Sequence, residues 1–418
     1  MLFILLYLCV LLIAPQLWLE PFVGWRTDVM LYPVWFLYLL VSGRALDLIR
    51  FRAQDWFIIG FLGWMFLSMA VNKPSPFVEL ILVSYPKWFV LYRFVVATLP
   101  SLARVRTTMV LLLFFGMVLA VEGIDHAFSA DGLGWAGQDF AWMDDQAAAA
   151  GLAGRTRWVN IFDGPGVFCV VYTITLPVAL VLSMPPFGLL TRIAGLVMTG
   201  TLLVATYYTG SRGGFLATVA VFGLFTLTRI RVTVPRVALA GVAMVLALLV
   251  APSHLTSTSD SHGSAQHRVS MWGHGIKMVE QNPLFGIGRG NFAPYTGRLI
   301  AHNSGIEIMG ETGLPGIFLW LGMLYMCFRN LFAAYAGLED PKERAYIIAM
   351  GLSIAGYLVS SLFVTLEYET MYFLMGVAAA AGRHAKVPPP FTVRDAMLVT
   401  AMVVSYFVGF KAFVMIYF

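Results

Sequence analysis

The chain has 418 residues, of which 59% are hydrophobic and only 12% are charged, and its formal net charge is +5. A soluble globular domain carries about 25% charged residues, so this composition excludes an ordinary water-soluble enzyme. The 32 Phe, 17 Tyr and 11 Trp residues exclude a disordered chain. The composition therefore predicts a polytopic membrane protein. In that class basic residues set the topology, so the positive charge does not indicate a nucleic-acid partner.

Thirteen apolar stretches are candidate membrane spans, each of which needs about 20 apolar residues. They run over 1–19, 29–43, 56–71, 76–99, 107–121, 164–184, 193–209, 214–228, 237–251, 314–328, 345–366, 370–382 and 396–417. The first stretch has neither a basic start nor an A-x-A cleavage site, so we interpret it as a retained helix. Cys9, Cys169 and Cys327 all lie in apolar runs, which predicts neither a disulfide framework nor a metal cluster.

The distribution of basic residues predicts which loops face the cytoplasm. With the N-terminus inside, most Lys and Arg residues fall in short inner loops, and the two longest loops face outward. This predicts a working surface on the outer, extracytoplasmic side of the membrane. The expected organisation is 1–121 N-terminal spans, 122–163 first long outer loop, 164–251 central spans, 252–313 second long outer loop, and 314–418 C-terminal spans.

A few arginines break this trend by lying on the predicted outer side. Arg212 lies in the small-residue turn Thr209-Gly-Ser-Arg-Gly-Gly214, Arg157 precedes the span at 164, and Arg268 lies in an amphipathic segment, 264–282. Guanidinium groups bind phosphate oxygens through paired hydrogen bonds, so several together would suit a lipid pyrophosphate. The alternative is that each arginine snorkels to lipid headgroups. For Arg212 the flanking glycines favour a ligand, because they allow close approach.

Three other outer features have weaker signals. Gly286-Ile-Gly-Arg-Gly290 does not follow a strand as a phosphate-binding glycine loop would, so we predict a flexible turn that carries Arg289. The acidic pairs Asp144-Asp145 and Glu367-Tyr-Glu369 form no Asp-x-Asp, and we predict surface groups rather than metal ligands. His262, His267 and His274 lack metal-ligand spacing and are predicted to be solvated.

The second long loop ends in a histidine followed by helix-start signals. Ser304 and Glu307 fit a capping box, so a short helix should begin at Ser304. Gly313 suits its C-terminal end, and Pro315 suits the first turn of the next span. His302 would then lie at the membrane surface, where a neutral imidazole can take a proton from a sugar hydroxyl. The alternative is a histidine bonded only to local backbone.

Asn303, Glu307 and Glu311 would share one face of that short helix. On this pattern Glu307 is predicted to act as a cap rather than as a catalyst.

Four of these segments, in order, resemble the O-antigen ligase and O-antigen polymerase superfamily. They are Arg157-Trp-Val-Asn-Ile-Phe162, Thr209-Gly-Ser-Arg-Gly-Gly214, Arg268-x3-Trp272 leading to Asn282-Pro-Leu-Phe-Gly-Ile-Gly288, and His302-Asn-Ser through Glu311-Thr-Gly-Leu-Pro-Gly316. The resemblance covers roughly residues 155–320.

The resemblance implies an all-helical membrane fold of the C-type glycosyltransferases, with about 12 spans and a helical periplasmic loop. It implies a metal-independent, inverting enzyme without a cofactor. Such an enzyme moves a glycan from undecaprenyl diphosphate to a lipid A-core sugar or another glycan at the periplasmic face of the bacterial inner membrane. The two long outer loops would then be periplasmic, and the second, 252–313, would be catalytic. Arg212 and Arg268 would hold the pyrophosphate and His302 would activate or orient the acceptor hydroxyl. Arg157, Arg289 and Asn303 are supporting binding residues. Membrane lipids are the other expected partners.

Three alternatives remain open. The chain could be an O-antigen or exopolysaccharide polymerase that joins lipid-linked repeats, or a ligase that glycosylates protein hydroxyls. From a different class, it could be a flippase or another transporter of lipid-linked glycans. A transporter is expected to carry charged groups deep in the bundle, for which Lys87 and Arg93 are the candidates outside the final span.

Overall fold

Residues 1–20, 22–129, 134–135, 155–229, 259–297 and 299–417 are described here from a computed structural model of the chain. They contain helices and no strand. The α-helices are α1 Leu2–Leu8, α2 Pro15–Trp18, α3 Thr27–Val41, α4 Ala53–Val71, α5 Val78–Thr98, α6 Leu102–Phe128, α7 Pro165–Leu182, α8 Leu189–Tyr208, α9 Arg212–Leu227, α10 Ser259–Gln281, α11 Phe292–Tyr295, α12 Ser304–Gly337, α13 Pro341–Ser360, α14 Glu369–Gly382 and α15 Val393–Tyr417.

The predicted spans coincide with these helices, except that 237–251 lies outside the described residues. Within the described ranges, seven helices are long and apolar enough to cross a membrane, namely α4, α5, α6, α7, α8, α12 and α15. The chain is therefore an all-α polytopic membrane protein, as predicted. The 1–19 stretch is not one regular helix: a π-helical turn, Cys9–Ile13, and a left-handed Ala14 (φ 51°) separate α1 from α2.

The chain forms two compact units, each assembled from three separate stretches. The first unit comprises the described parts of Met1–Ala45, Ala97–Thr256 and Leu338–Ser360, and the second those of Leu46–Val96, Ser257–Gly337 and Ser361–Phe418. The predicted organisation into five consecutive segments and the predicted membrane orientation stay predictions.

The first unit packs around α7. This helix is apolar on every face and is buried along nearly its whole length, as expected for a helix that other helices surround. It contacts α6, α8, α9 and α13. Small residues allow the closest approaches: a Cβ on Gly116 of α6 would overlap Thr175, and one on Gly356 of α13 would lie 2.8 Å from Thr173. Ser353 of α13 donates to the carbonyl oxygen of Ile174 at 2.6 Å.

The second unit packs around α12, which contacts α4, α10, α14 and α15. As predicted, the helix begins at Ser304 and is interrupted at Gly313, whose φ of 72° and ψ of −172° are not helical. The Leu314 N–H turns away to donate to the Pro283 carbonyl at 2.8 Å, so Pro315 lies in the first turn of the second half. This break separates a short, buried N-terminal segment from the long apolar part of α12.

The amphipathic segment predicted at 264–282 is α10, which ends at Gln281 just before Asn282-Pro283. Its apolar residues Ile276 and Val279 are buried, and the Trp272 ring packs against Phe410 of α15 with centroids 5.2 Å apart. In the second unit α10 therefore lies against α12 and α15, and it carries Arg268 in its middle.

Candidate functional site

The segment 301–304, which leads into α12, is fixed by contacts at both of its ends. Trp272 Nε1 donates to the Ala301 carbonyl at 3.0 Å, and the Ser304 N–H donates to the Ser361 carbonyl at 2.9 Å. Between these two anchors His302 has a φ of 50°, the left-handed region that a non-glycine residue adopts only where its surroundings enforce it. The second unit thus holds His302 in a strained, defined conformation.

Asn303 caps α12, which corrects the predicted capping box. Its Oδ1 accepts the Ile306 N–H at 3.1 Å, the hydrogen bond expected of an N-cap side chain. Ser304 Oγ instead accepts the Leu366 N–H at 2.8 Å, so this hydroxyl holds a distant loop. Glu307 is not a cap either: Thr365 Oγ1 donates to its carboxylate at 3.0 Å.

The imidazole of His302 is neutral at physiological pH. Its pKa is lowered to about 4, chiefly by burial and in smaller part by the electrostatic influence of Arg268 and His267. These influences place His302, Arg268 and His267 in one neighbourhood of the second unit. His302 is half-buried, while His267 is exposed, as predicted for a solvated histidine. A neutral, oriented imidazole beside a guanidinium suits attack by a hydroxyl on the anomeric carbon of a sugar whose leaving group is a phosphate.

The loop that carries Arg289 is rigidly bound rather than flexible, which corrects the prediction for it. Its three glycines, Gly286, Gly288 and Gly290, have φ values of 61°, 88° and 83°, so their backbone is one that other residues rarely adopt. The Gly288 N–H donates to the Glu311 carbonyl at 2.9 Å, and a Cβ on Gly286 would overlap the Glu311 backbone. The loop is therefore pinned to the first half of α12.

Arg289 lies buried among carboxylates. Its Nη1 donates to Glu311, its Nη2 donates to Glu367 at 3.2 Å, and its Nε donates to the Tyr85 hydroxyl at 2.9 Å. Glu307 is the third carboxylate, 3.6 Å from Nη1. The Arg289 side chain is 8% exposed, so these partners occupy the guanidinium that the sequence predicted as a pyrophosphate ligand.

Glu367 is a buried group, not the surface carboxylate that the sequence predicted. It is 4% exposed, and its Oε2 accepts hydrogen bonds from Tyr85 and Arg289. Burial raises its pKa to about 7, an effect that the neighbouring Arg289 partly opposes. Its predicted partner in the pair, Glu369, lies 4.0 Å from Lys87. The Asp144-Asp145 pair falls outside the described residues.

The sequence missed the carboxyl cluster of Glu307, Glu311 and Glu367 as a unit. The spacing of Asn303, Glu307 and Glu311 was the available signal, since it placed them on one face of a helix. No pattern in the sequence indicated that Glu367 would join them.

The turn that carries Arg212 belongs to the first unit. Gly210 has a φ of 58°, and Ser211 caps α9 by accepting the Gly214 N–H at 3.1 Å. A Cβ on Gly214 would overlap Cys169 of α7, which explains the small residue at that position. Arg212 is the first residue of α9 and is exposed. A basic side chain at an exposed, glycine-flanked helix start is well placed to meet an anion.

Arg155 and Arg157 lie beside this turn, also within the first unit. The Thr156 N–H donates to the Tyr208 carbonyl at 3.1 Å, and Arg155 Nε donates to the Thr209 carbonyl at 3.2 Å. Arg157 is 3% exposed. The structure thus places Arg157 next to the Arg212 turn, and sequence reasoning missed the part of Arg155 in fixing it.

The predicted site residues therefore fall into two groups, each within one unit. Arg157 and Arg212 lie in the first, and Arg268, Arg289, His302 and Asn303 lie in the second. Among the residues that the structure describes, no group of three or more His, Cys, Asp or Glu side chains is arranged to hold a metal ion.

Comparison with known proteins agrees with the motif analysis. A family model described as O-antigen ligase matches residues 197–321, a range that contains the Arg212 turn, α10, the Arg289 loop and His302. No curated protein matches the chain. The match supports a membrane enzyme that transfers glycans in the manner of a ligase or polymerase. On this evidence residues 197–321 resemble an O-antigen ligase domain, which supports the predicted superfamily.

Proposed function

We propose that the chain is a glycan ligase of the bacterial inner membrane. It would take a glycan from undecaprenyl diphosphate and join it to a hydroxyl of a lipid A-core sugar at the periplasmic face. The observation that carries the proposal is His302, held in a strained backbone conformation with a neutral imidazole close to Arg268, inside the segment that matches the O-antigen ligase family.

The chemistry follows from the charges that develop in the reaction. The donor departs as a diphosphate, so negative charge grows on the oxygen that leaves the anomeric carbon. Arg268 would stabilise that charge, as fixed donors do in a site that excludes water. The acceptor hydroxyl attacks the opposite face of the sugar, which inverts the anomeric centre. His302 would orient this hydroxyl and accept its proton.

The remaining predicted residues take different parts in this proposal. Arg157 and Arg212 stay predicted pyrophosphate ligands on the strength of the sequence motifs and their own unit's geometry. Arg289 is saturated by carboxylates and tyrosine, so we assign it to holding the 286–290 loop on α12 rather than to contact with the donor. Asn303 stays a predicted substrate-binding residue.

The charged groups within the second unit weigh against the transporter alternative. Arg93 is paired with Asp55, and it also donates to the carbonyl oxygen of Leu48 at 3.0 Å. These contacts give Arg93 a structural partner between neighbouring segments. A transporter therefore has no support from this residue.

The test is a transfer assay with purified chain, lipid-linked glycan and lipid A-core acceptor in the presence of EDTA. The proposal expects glycan on the acceptor, and no product with any acceptor would contradict it. Omitting the core acceptor separates the alternatives: a polymerase would lengthen the lipid-linked glycan. Glycan on Ser or Thr of a protein target would indicate the protein ligase. Movement of donor across liposomes without bond formation would indicate a transporter.

A further inference from the structure

The side chain of Asn303 carries an unused hydrogen-bond donor. The residue is fully buried, and its Oδ1 accepts from the Ile306 N–H at 3.1 Å and from the Tyr406 hydroxyl at 2.5 Å. Its Nδ2 is buried and has no partner among the residues that the structure describes. A buried donor without an acceptor costs free energy, so a group of this kind calls for a partner beyond the residues that the structure describes.

The orientation of this amide is determined by its neighbours. The Ile306 N–H can only donate, so the atom of Asn303 that faces it must be the oxygen. The nitrogen is then fixed on the other edge of the amide. Because Asn303 follows His302 directly in the chain, this N–H edge belongs to the neighbourhood of the proposed acceptor site.

Tyr406 donates the second hydrogen bond to the amide oxygen of Asn303. It comes from α15, the final helix of the chain, and its ring lies so close to Gly305 that a Cβ there would overlap it. The ring also packs against Phe410, with centroids 4.7 Å apart. Asn303 Oδ1 therefore accepts two hydrogen bonds, one from the backbone of α12 and one from the Tyr406 hydroxyl.

We propose that Tyr406 is a positioning residue, which holds the Asn303 amide so that its Nδ2 donates to an oxygen of the acceptor sugar beside His302. This inference rests on the proposed glycosyl transfer. It adds the last helix to the groups that define the acceptor site. The interaction would strengthen as the acceptor hydroxyl reaches the transition state, so its loss should lower kcat more than it raises KM.

The chain offers a matched control for Tyr406. Tyr325 of α12 also ties α12 to α15, because its hydroxyl donates to Asp395 Oδ1 at 2.5 Å. Tyr325→Phe and Tyr406→Phe therefore each remove one hydroxyl from a contact between the same two helices. Asp395 lies 11 residues before Tyr406, about three helical turns along α15, so the Tyr325 contact is well removed from His302.

The experiment measures kcat and KM for both tyrosine variants, Asn303→Ala and the Asn303→Ala/Tyr406→Phe double variant. We expect Tyr406→Phe to lower kcat about tenfold, the loss typical of one hydrogen bond. Tyr325→Phe should stay within about twofold of the parent chain. The double variant should be no slower than Asn303→Ala alone, because Tyr406 acts through Asn303. Equal kcat values for the two tyrosine variants, or additive losses in the double variant, would overturn the proposal.

A second readout separates this inference from the proposed function. Carbethoxylation of His302 by diethyl pyrocarbonate, followed by mass spectrometry, reports the environment of the imidazole without any turnover. Tyr406→Phe should change the rate of His302 carbethoxylation by about threefold or more, and Tyr325→Phe should leave that rate unchanged. If the parent chain transfers no glycan, the proposed function fails, and equal carbethoxylation rates in the two variants would then reject the role of Tyr406.

Discussion

The two glycine-flanked arginine turns of this protein have similar sequences and opposite environments. Arg212 follows Gly210-Ser211 and is exposed at the start of α9, in a turn fixed by backbone contacts and the Ser211 cap. Arg289 lies between Gly288 and Gly290 and is buried, with Glu311, Glu367 and Tyr85 on its three donor groups. The first arginine is exposed, whereas the second is buried and its charge is balanced by carboxylates. Glycine neighbours therefore identify a tight turn, and only the surrounding charges tell what the arginine does.

The largest effect that separates the two turns is on folding. Arg289→Ala should destabilise the protein by about 3–5 kcal/mol, because it leaves buried carboxylates without their cation. Arg212→Ala should change stability by no more than about 0.5 kcal/mol, as expected of an exposed side chain. Thermal unfolding in detergent measures both.

A double variant sharpens this prediction about Arg289. Arg289→Met with Glu311→Gln should recover part of the loss, since it removes charge from both sides of the pair. Equal stability of Arg289→Ala and Arg212→Ala would show that the two turns do not differ in the way described.

The second difference is on catalysis. Arg212→Ala should lower the rate of glycan transfer by about a hundredfold, the loss typical of one electrostatic donor. Arg212→Lys should recover only part of the rate, because an ammonium group cannot form the paired hydrogen bonds of a guanidinium. The transfer assay in EDTA measures both variants against the parent chain. Unchanged activity in Arg212→Ala would remove this residue from the pyrophosphate site.

The glycines of the two turns should differ as well. Gly214→Ala brings a Cβ against the Cys169 side chain, so it should cost about 1–3 kcal/mol by overpacking. Adding Cys169→Gly to this variant should relieve the overlap and recover part of the loss. Gly286→Ala should cost more, because its Cβ meets the backbone of α12 and its φ is 61°. Thermal unfolding of the three single variants and the Gly214→Ala/Cys169→Gly double variant gives the comparison. A Gly214→Ala loss that Cys169→Gly does not reduce would contradict this explanation.

The smallest expected effect is a pH dependence of protein stability that arises at Glu367, the carboxyl group in contact with Arg289. The folded pKa of Glu367 is raised to about 7, so folding favours its protonated form. This stabilisation is complete below the ordinary pKa of a glutamate, 4.5, and is lost as the pH rises through about 7. Glu367→Gln should therefore lose less stability than the parent chain between pH 5 and pH 8, while Arg212→Ala keeps the parent slope. Parallel pH profiles for Glu367→Gln and the parent chain would contradict the buried position of this carboxyl group.

The sequence predicted much of the fold because apolar length and local end signals decide where helices lie. The start of α12 at Ser304, its break at Gly313 and the end of α10 before Pro283 all follow from residues within one or two turns. The cap of α12 was predicted wrongly for a tertiary reason. Ser304 has a side chain that can cap a helix, but its hydroxyl accepts a hydrogen bond from the Leu366 N–H. Asn303 caps the helix instead.

The candidate site was predicted only in part, for the same physical reason. Arg268 lowers the pKa of His302, so these two residues share an environment. The burial of Glu367 depends on Tyr85 and Arg289, which are 282 and 78 residues away along the chain. Periodicity and caps carry no information over such separations. The sequence therefore could not distinguish an arginine that is buried among carboxylates from one that is exposed at a helix start.

The most direct test of the central claim is the pH dependence of kcat/KM for the parent chain and for His302→Ala. We expect the parent rate to be constant from pH 6 to pH 8, because the His302 pKa of about 4 keeps the imidazole neutral there. The rate should fall only as the pH approaches that value. His302→Ala should lower kcat/KM by about a hundredfold or more across this range, with thermal stability unchanged. A His302→Ala variant that folds and transfers glycan at the parent rate would contradict the account.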